Sequence, residues 1–154
     1  MNTIFTDCAI RSKAGDDECL CSAEKTPSRP WPPMINVDAL ADAWIAFHRA
    51  PKQERDGLFW AWETLDTLVD RDPETGWQVI DLIWRRDQDD GLLADLAAGP
   101  VEDLLARHGA AFIERIYLTA RREPVFRRLL GGVWRNAISE PVWRRLKEIA
   151  GPPF

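Results

Sequence analysis

Apolar side chains recur every three or four residues along most of the chain after residue 36, which is the spacing of one face of an α-helix. Between about Asp56 and Asp70 the apolar positions gather on one side of a helical wheel, with acidic positions opposite. This stripe consists of Leu58, Ala61, Trp62, Leu65, Leu68 and Val69. Because no stretch of this region alternates with the two-residue period of a strand, the pattern predicts an all-α fold. We expect Trp62, Trp77 and Trp84 to pack in its core.

Capping and helix-breaking residues divide this pattern into about seven or eight short helices. Asn36 or Asp38 is suited to begin the first helix, and Asp72 followed by Pro73 is suited to begin the third. The dipeptide at 99–100 predicts a Gly-Pro corner between two short helices, 90–98 and 100–107, and Gly109 is predicted to end the second. Further helices are predicted at 110–122, 124–132 and 139–149. Short connections favour antiparallel hairpins, arranged as a HEAT-like α-solenoid or as a compact bundle.

Residues 1–33 differ from the rest of the chain because they are polar and rich in proline. This composition predicts a mostly disordered N-terminal extension, followed by a single helical domain at 34–154. The extension contains all three cysteines, Cys8, Cys19 and Cys21. We expect them to be reduced, since an odd number does not form a closed disulfide framework. No apolar run is long enough to span a membrane and no signal peptide is evident, so we expect a cytoplasmic protein.

Several segments in order are similar to one known group of sequences. They are LADAWIAFHRA, LFWAWETLDTLVDRDPETGWQVI, LLADLAAGPVEDLLARHGAAFIERI and FRRLLGGVWR. Together they cover about Leu40 to Trp143, and this region resembles a family of small, uncharacterised bacterial proteins classed as a domain of unknown function. The resemblance implies an all-helical domain, and it brings no catalytic residue and no ligand.

The sequence contains no recognised nucleophile or phosphate-binding motif. Clustered carboxylates are the enzymatic alternative, with Glu63, Asp66, Asp81 and Asp95 as candidates, although solvated helix faces explain acidic residues more simply. The acidic run at 87–90 misses the spacing of a calcium loop and is better explained by helix capping. His48 and His108 lack a second ligand at metal-binding spacing. We therefore expect no metal, no cofactor and a non-enzymatic function.

Arginine doublets are the most distinctive surface feature, and residues 111–154 carry nine basic against four acidic side chains. The candidate partner-binding residues of this region are Arg121, Arg122, Arg127, Arg128, Arg135, Arg144 and Arg145. They either bind a partner or pair with the acidic helices of the same molecule, where residues 36–110 carry seven basic and sixteen acidic side chains.

Large apolar residues on polar helix faces are the second group of candidates. Phe59 and Trp60 lie off the apolar stripe, and Leu118 interrupts a polar face. Such residues either pack on an adjacent helix, which is the commoner case, or form binding hot spots, in which tryptophan and arginine are enriched. On the second alternative, we expect a domain that binds another protein. An immunity-type or regulatory partner of a bacterial protein is one form of this hypothesis. The alternative of nucleic-acid binding through the C-terminal arginines is disfavoured by the acidic balance of the chain.

Overall fold

A computed structural model describes residues 35–152, and every regular element within this range is helical. The α-helices are α1 (Val37–Arg49), α2 (Phe59–Arg71), α3 (Pro73–Arg86), α4 (Asp90–Leu96), α5 (Glu102–Arg122), α6 (Pro124–Leu129) and α7 (Glu140–Lys147). Short 3₁₀ turns occupy Lys52–Glu54, Asp56–Leu58 and Leu130–Gly132. The all-helical prediction is confirmed. The predicted extension at 1–33, with its cysteines, lies outside the described residues.

The predicted capping residues begin their helices as expected. The Asn36 side chain accepts hydrogen bonds from the amides of residues 38 and 39, both at 3.1 Å, at the start of α1. Asp72 accepts the amide of Thr75 at 3.3 Å, and Pro73 occupies the first turn of α3. Asp89 accepts the amides of residues 91 and 92 at the start of α4, which confirms that the acidic run at 87–90 serves helix capping.

The predicted corner at Gly99 and Pro100 is wrong, because the chain passes through both residues in a π-helical turn, Ala97–Val101. The amide of Glu102 donates to the carbonyl of Ala97, five residues earlier. A π turn widens the backbone locally, and Pro100 would otherwise clash with the carbonyl of the preceding turn. Helices α4 and α5 therefore do not form a hairpin. Helix α4 packs against α1, α3 and α6, whereas α5 packs against α2, α3, α6 and α7.

The predicted helix end at Gly109 corresponds to a kink in α5, because His108 leaves the helical conformation (φ −128°, ψ 15°) and two helical segments meet there. A Cβ atom added at Gly109 would lie 2.8 Å from Cγ1 of Val142, so glycine permits the close approach of α7. The kink directs Nε2 of His108 toward the carbonyl of Asp70 at the end of α2, 3.2 Å away. This contact joins α5 to the end of α2.

The core is centred on α3, which packs against α1, α2, α4 and α5. Its apolar residues cover a wide arc, and Val79, Ile80 and Ile83 are fully buried. The rings of Trp77 and Trp84 both contact Phe126 of α6, with centroid distances of 5.8 and 5.4 Å. The helices thus surround one core, which fits the compact-bundle alternative. None of the helices in the described range is long and apolar enough to cross a membrane.

Candidate functional site

The start of α2 carries three half-exposed aromatic side chains within four residues. Phe59, Trp60 and Trp62 expose 43%, 49% and 41% of their surface, respectively. Phe59 stacks on Trp62 with a centroid distance of 5.4 Å and an interplanar angle of 14°, and Phe47 of α1 lies 6.1 Å from Phe59. We call Phe47, Phe59, Trp60 and Trp62 the aromatic surface. The rings of Phe47, Phe59 and Trp62 contact one another in series, whereas Trp60 lies about 160° around α2 from Trp62 and has no ring contact in the described residues. Exposed apolar side chains that lie together mark interaction sites.

An arginine fixes the position of this surface relative to α1. The guanidinium of Arg55 lies 5.6 Å from the ring centre of Phe47. It also donates to the carbonyls of Ala50 and His48 at 2.9 and 3.1 Å, where the end of α1 leaves its last carbonyls without helical partners. Arg55 therefore restrains the Phe47 side of the aromatic surface, and the stack on Trp62 restrains Phe59.

The prediction that Trp62 belongs to the core is wrong. Of the two alternatives for Phe59 and Trp60, packing on an adjacent helix or exposure at the surface, the structure shows half-exposed rings. Ala61 and Leu65 form the centre of the buried stripe, and Trp62 lies about 100° around the helix from Ala61. This places Trp62 at the margin of the stripe, where its ring stacks on Phe59 instead of entering the core. The helical wheel could not reveal this, because Val69, about 20° from Trp62 on the wheel, is fully buried.

A second candidate surface lies where the ends of α3 and α5 meet. A hollow of about 310 Å³ is lined by Arg85, Arg115, Leu118, Thr119, Arg122 and Glu123. A neighbouring hollow of about 250 Å³ is lined by Leu118, Arg121 and Arg122. Leu118 is 50% exposed, which confirms that it interrupts the polar face of α5. We call these two depressions the basic hollows.

The predicted arginines divide into two groups. Arg121 and Arg122 are exposed and form no ion pair within the described part of the chain. Arg128 instead pairs with Asp90 at 3.1 Å, and Arg127 donates to the carbonyl of Ile149 at 3.1 Å. These two contacts follow the alternative of internal pairing, because they attach α6 to α4 and to the C-terminal segment.

Arginines of the last helix and the loop before it are also held internally. Arg145 donates to both oxygens of Glu114 at 2.9 and 3.0 Å, to Glu148 at 2.5 Å, and lies 3.6 Å from the ring centre of Tyr117. The hydrogen bonds to Glu114 and then Glu148 raise the pKa of Arg145 above its usual value. Arg135 and Arg144 approach Glu140 at 2.6 and 3.8 Å. Among the candidate arginines, Arg121 and Arg122 at the end of α5 therefore differ from those of α7 and its preceding loop, which are paired within the chain.

One comparison with known proteins identifies relatives of this chain. The model of DUF6869, a family of unknown function, matches residues 48–152. The chain belongs to this family. Neither a curated protein nor a solved structure matches it. The match covers α2 to α7, so Phe59, Trp60, Trp62 and the basic hollows lie within the matched region.

The DUF6869 domain contains one histidine–carboxylate pair that the sequence pattern did not indicate. Nδ1 of His48 lies 2.9 Å from Asp95 of α4, and Nε2 is buried without a hydrogen-bond partner in the described residues. A cleft of about 350 Å³ adjoins the pair and includes Arg49, Asp89 and Leu92 in its lining. Burial lowers the pKa of His48, against the opposing effect of Asp95. The neutral form of His48 is thus favoured.

The candidate carboxylates of the enzymatic alternative belong to different local contacts. Asp81 binds Arg85 at 2.9 Å, Asp95 contacts His48, and Asp66 lies 3.7 Å from Arg107. Glu63 forms no ion pair in the described range. Within residues 35–152, no group of three histidine, cysteine, aspartate or glutamate side chains is arranged to hold a metal ion.

A buried carboxylate that sequence reasoning missed organises the loop before α7. Glu102, at the start of α5, accepts hydrogen bonds from the amide of Trp134 at 3.3 Å and from the side chain of Asn136. Asn136 has a φ of 27°, a left-handed conformation that asparagine tolerates better than most residues. The loop leaves the Trp134 side chain 68% exposed. Nothing in the sequence spacing links Glu102 to residues more than thirty positions away.

Proposed function

We propose that this DUF6869 chain is a non-enzymatic domain that binds another protein, and that the partner docks on the aromatic surface. The observation that carries the proposal is the concentration of three half-exposed aromatic rings in the first turn of α2. Burying such rings in a complex removes a large apolar area from water. Tryptophan is also the residue type most enriched among binding hot spots.

Preorganisation supports the same conclusion. The stack between Phe59 and Trp62, and the anchoring of Arg55 to the end of α1, restrict the rings before binding. A partner that docks on restrained rings loses less side-chain entropy than one that must order them. A flat stack of two rings suits a complementary apolar surface of a protein better than a small ligand, which requires an enclosing pocket.

The finer form of the proposal is a cytoplasmic bacterial protein that acts as an immunity-type or regulatory partner. In that form, occupation of the aromatic surface changes the activity of the bound protein. Stoichiometric addition of the purified chain should then inhibit or activate its partner. Binding without any change of partner activity would support the general proposal and contradict this finer form.

The experiment compares capture by matched tryptophan variants. The full-length tagged chain is purified from the cells that produce it after mild crosslinking, and enriched proteins are quantified by mass spectrometry. The variants are Phe59→Ala/Trp62→Ala on the aromatic surface and Trp134→Ala as a control, because Trp134 is also exposed but lies in the loop before α7. The partner identified in this way is then purified and its affinity is measured directly.

We expect a protein that is captured by the parent chain and by the Trp134→Ala variant. The double variant should bind it at least about tenfold more weakly, since hot-spot aromatics each contribute about 2 kcal/mol or more. Equal affinity of all three chains for the partner would contradict the placement of the site. The absence of any protein enriched over an unrelated tagged control would contradict the proposed function.

A further inference from the structure

The basic hollows are two depressions that share one wall. Leu118 and Arg122 line both, Arg121 lines the smaller, and Arg85 and Arg115 line the larger. On α5, Arg121 and Arg122 follow Leu118 by three and four residues, so they lie one turn beyond it on either side. An apolar side chain is therefore flanked by two guanidinium groups at an exposed helix surface.

The arginines that line the basic hollows differ in whether a carboxylate of the same chain already binds them. Arg115 is held by both oxygens of Glu74, at 2.7 and 3.0 Å, and Arg85 is held by Asp81 at 2.9 Å. Arg121 and Arg122 form no ion pair with any described residue. The charges of the first pair are compensated by these carboxylates, while the second pair retains free N–H donors that can bind a carboxylate in the bidentate manner.

We propose that the basic hollows bind an acidic segment of a protein in which two carboxylates flank an apolar side chain. The carboxylates would pair with Arg121 and Arg122, and the apolar side chain would cover Leu118. Charge complementarity identifies the occupant, because the free donors in both hollows are guanidinium groups. A single small anion would fill one hollow only and leave Leu118 exposed.

A nucleic acid fits the same surface less well. Arginines bind phosphate as readily as carboxylate, but single-stranded nucleic acids also require aromatic side chains on which bases stack. The side chains that line the two hollows include no aromatic ring. Tyr117, the neighbour of Leu118 in the sequence, is covered by the guanidinium of Arg145 at 3.6 Å.

Glu123 gives the proposal an unusual internal test. It lines the larger hollow and approaches Arg85 at 3.5 Å, so its negative charge opposes an incoming carboxylate. Removing that charge should strengthen the binding of an acidic segment, whereas removing the charge of Arg122 should weaken it. If peptides bound through apolar contact alone, these two substitutions would not change the affinity in opposite directions.

The experiment is a selection of displayed random twelve-residue peptides on the immobilised full-length chain. The variant Arg121→Glu/Arg122→Glu is compared with Lys52→Glu/Arg71→Glu, which changes the net charge equally. Lys52 and Arg71 are exposed and form no ion pair within residues 35–152. Circular dichroism and thermal unfolding establish that all chains used in the selection are folded.

We expect the parent chain and the Lys52/Arg71 control to enrich peptides that carry an apolar residue between two acidic ones. The Arg121/Arg122 variant should not enrich them. For the best peptide, Arg122→Ala should weaken binding about tenfold, as for the loss of one charged hydrogen-bonded pair, and Glu123→Gln should strengthen it about threefold. Substituting both acidic residues of the peptide with glutamine should abolish binding.

Three results would overturn the proposal: peptides without an acidic bias, equal enrichment by the Arg121/Arg122 variant, or tighter binding of a single-stranded oligonucleotide than of any selected peptide at equal ionic strength. The proposal does not depend on the aromatic surface. The Phe59→Ala/Trp62→Ala variant should bind the acidic peptide with unchanged affinity, so failure of one site is distinguishable from failure of the other.

Discussion

The same residue type has opposite environments in α3 and at the start of α2. Trp77 and Trp84 of α3 expose only 8% and 2% of their surface, whereas Trp60 and Trp62 of α2 are half exposed. The difference arises because α3 is covered by four other helices, while the first turn of α2 follows a 3₁₀ turn at the edge of the bundle. A tryptophan therefore stabilises the fold or remains available for binding according to its neighbours.

His48 lies between these two environments and contacts both. Its ring is 3.8 Å from the buried ring of Trp44 and 5.1 Å from Phe47 of the aromatic surface, as measured between centroids. The residue that joins the core to the surface is thus a titratable group with a partly buried side chain. Substitutions in the core, at His48 and on the aromatic surface should have successively smaller effects on stability.

The largest effect is expected for Trp77→Ala in the core. Removal of this ring leaves a cavity against Phe112 and Phe126 and should lower the free energy of unfolding by about 3–5 kcal/mol. Urea denaturation followed by circular dichroism measures the loss. A decrease below about 1 kcal/mol would show that Trp77 does not stabilise the core as its packing indicates.

An intermediate effect is expected from the protonation of His48. Because burial lowers its pKa in the folded state below 6.5, the unfolded chain binds more protons near that pH, and the free energy of unfolding falls as the pH drops through this range. Asp95 of α4 opposes the shift, and the positive charge of Arg55 reinforces it, while Arg49 and Asp89 line the adjoining cleft.

The measurement compares urea denaturation of the parent chain and of His48→Gln between about pH 7.5 and about pH 5. The variant should lose less stability over this range, whatever its stability at the higher pH. Glu74 and Glu114 also affect the pH dependence, but arginine hydrogen bonds lower their pKa from 4.5, so their stabilisation is lost only at more acidic pH. Parallel pH profiles of the two chains would contradict the prediction.

The smallest effect on stability is expected for the tryptophans of the aromatic surface. Trp60→Ala and Trp62→Ala should each lower the free energy of unfolding by no more than about 1 kcal/mol, because the rings are half exposed and leave no enclosed cavity. Urea denaturation of these two variants and of Trp77→Ala compares their free energies of unfolding directly. If Trp62→Ala were as destabilising as Trp77→Ala, the distinction between the two regions would be lost.

The helical class and most helix starts followed from the sequence because their causes are local. The apolar period of α3 and the capping side chains of Asn36, Asp72 and Asp89 act within a few residues of their own position. The error at Gly99–Pro100 had the opposite origin. There, a π turn continues the helix where the local residues indicate a break.

The candidate sites were only partly predictable. The positions of Phe59 and Trp60 off the apolar stripe left open whether they pack on another helix or stay exposed, and the exposure of Trp62 was not predicted at all. Which arginines form ion pairs could not be predicted either, because their carboxylate partners are distant in the sequence. Arg145 and Glu114 are separated by 31 residues, and His48 and Asp95 by 47.

The sequence by itself determined the all-helical class, the identity of the capping residues and the aromatic and arginine side chains from which an interface is built. Tertiary structure alone decided which of those side chains remain exposed and unpaired. The physical reason is range: hydrogen bonds of caps and the periodicity of a helix act over one or two turns, whereas burial and ion pairing are set by helices brought together across the core.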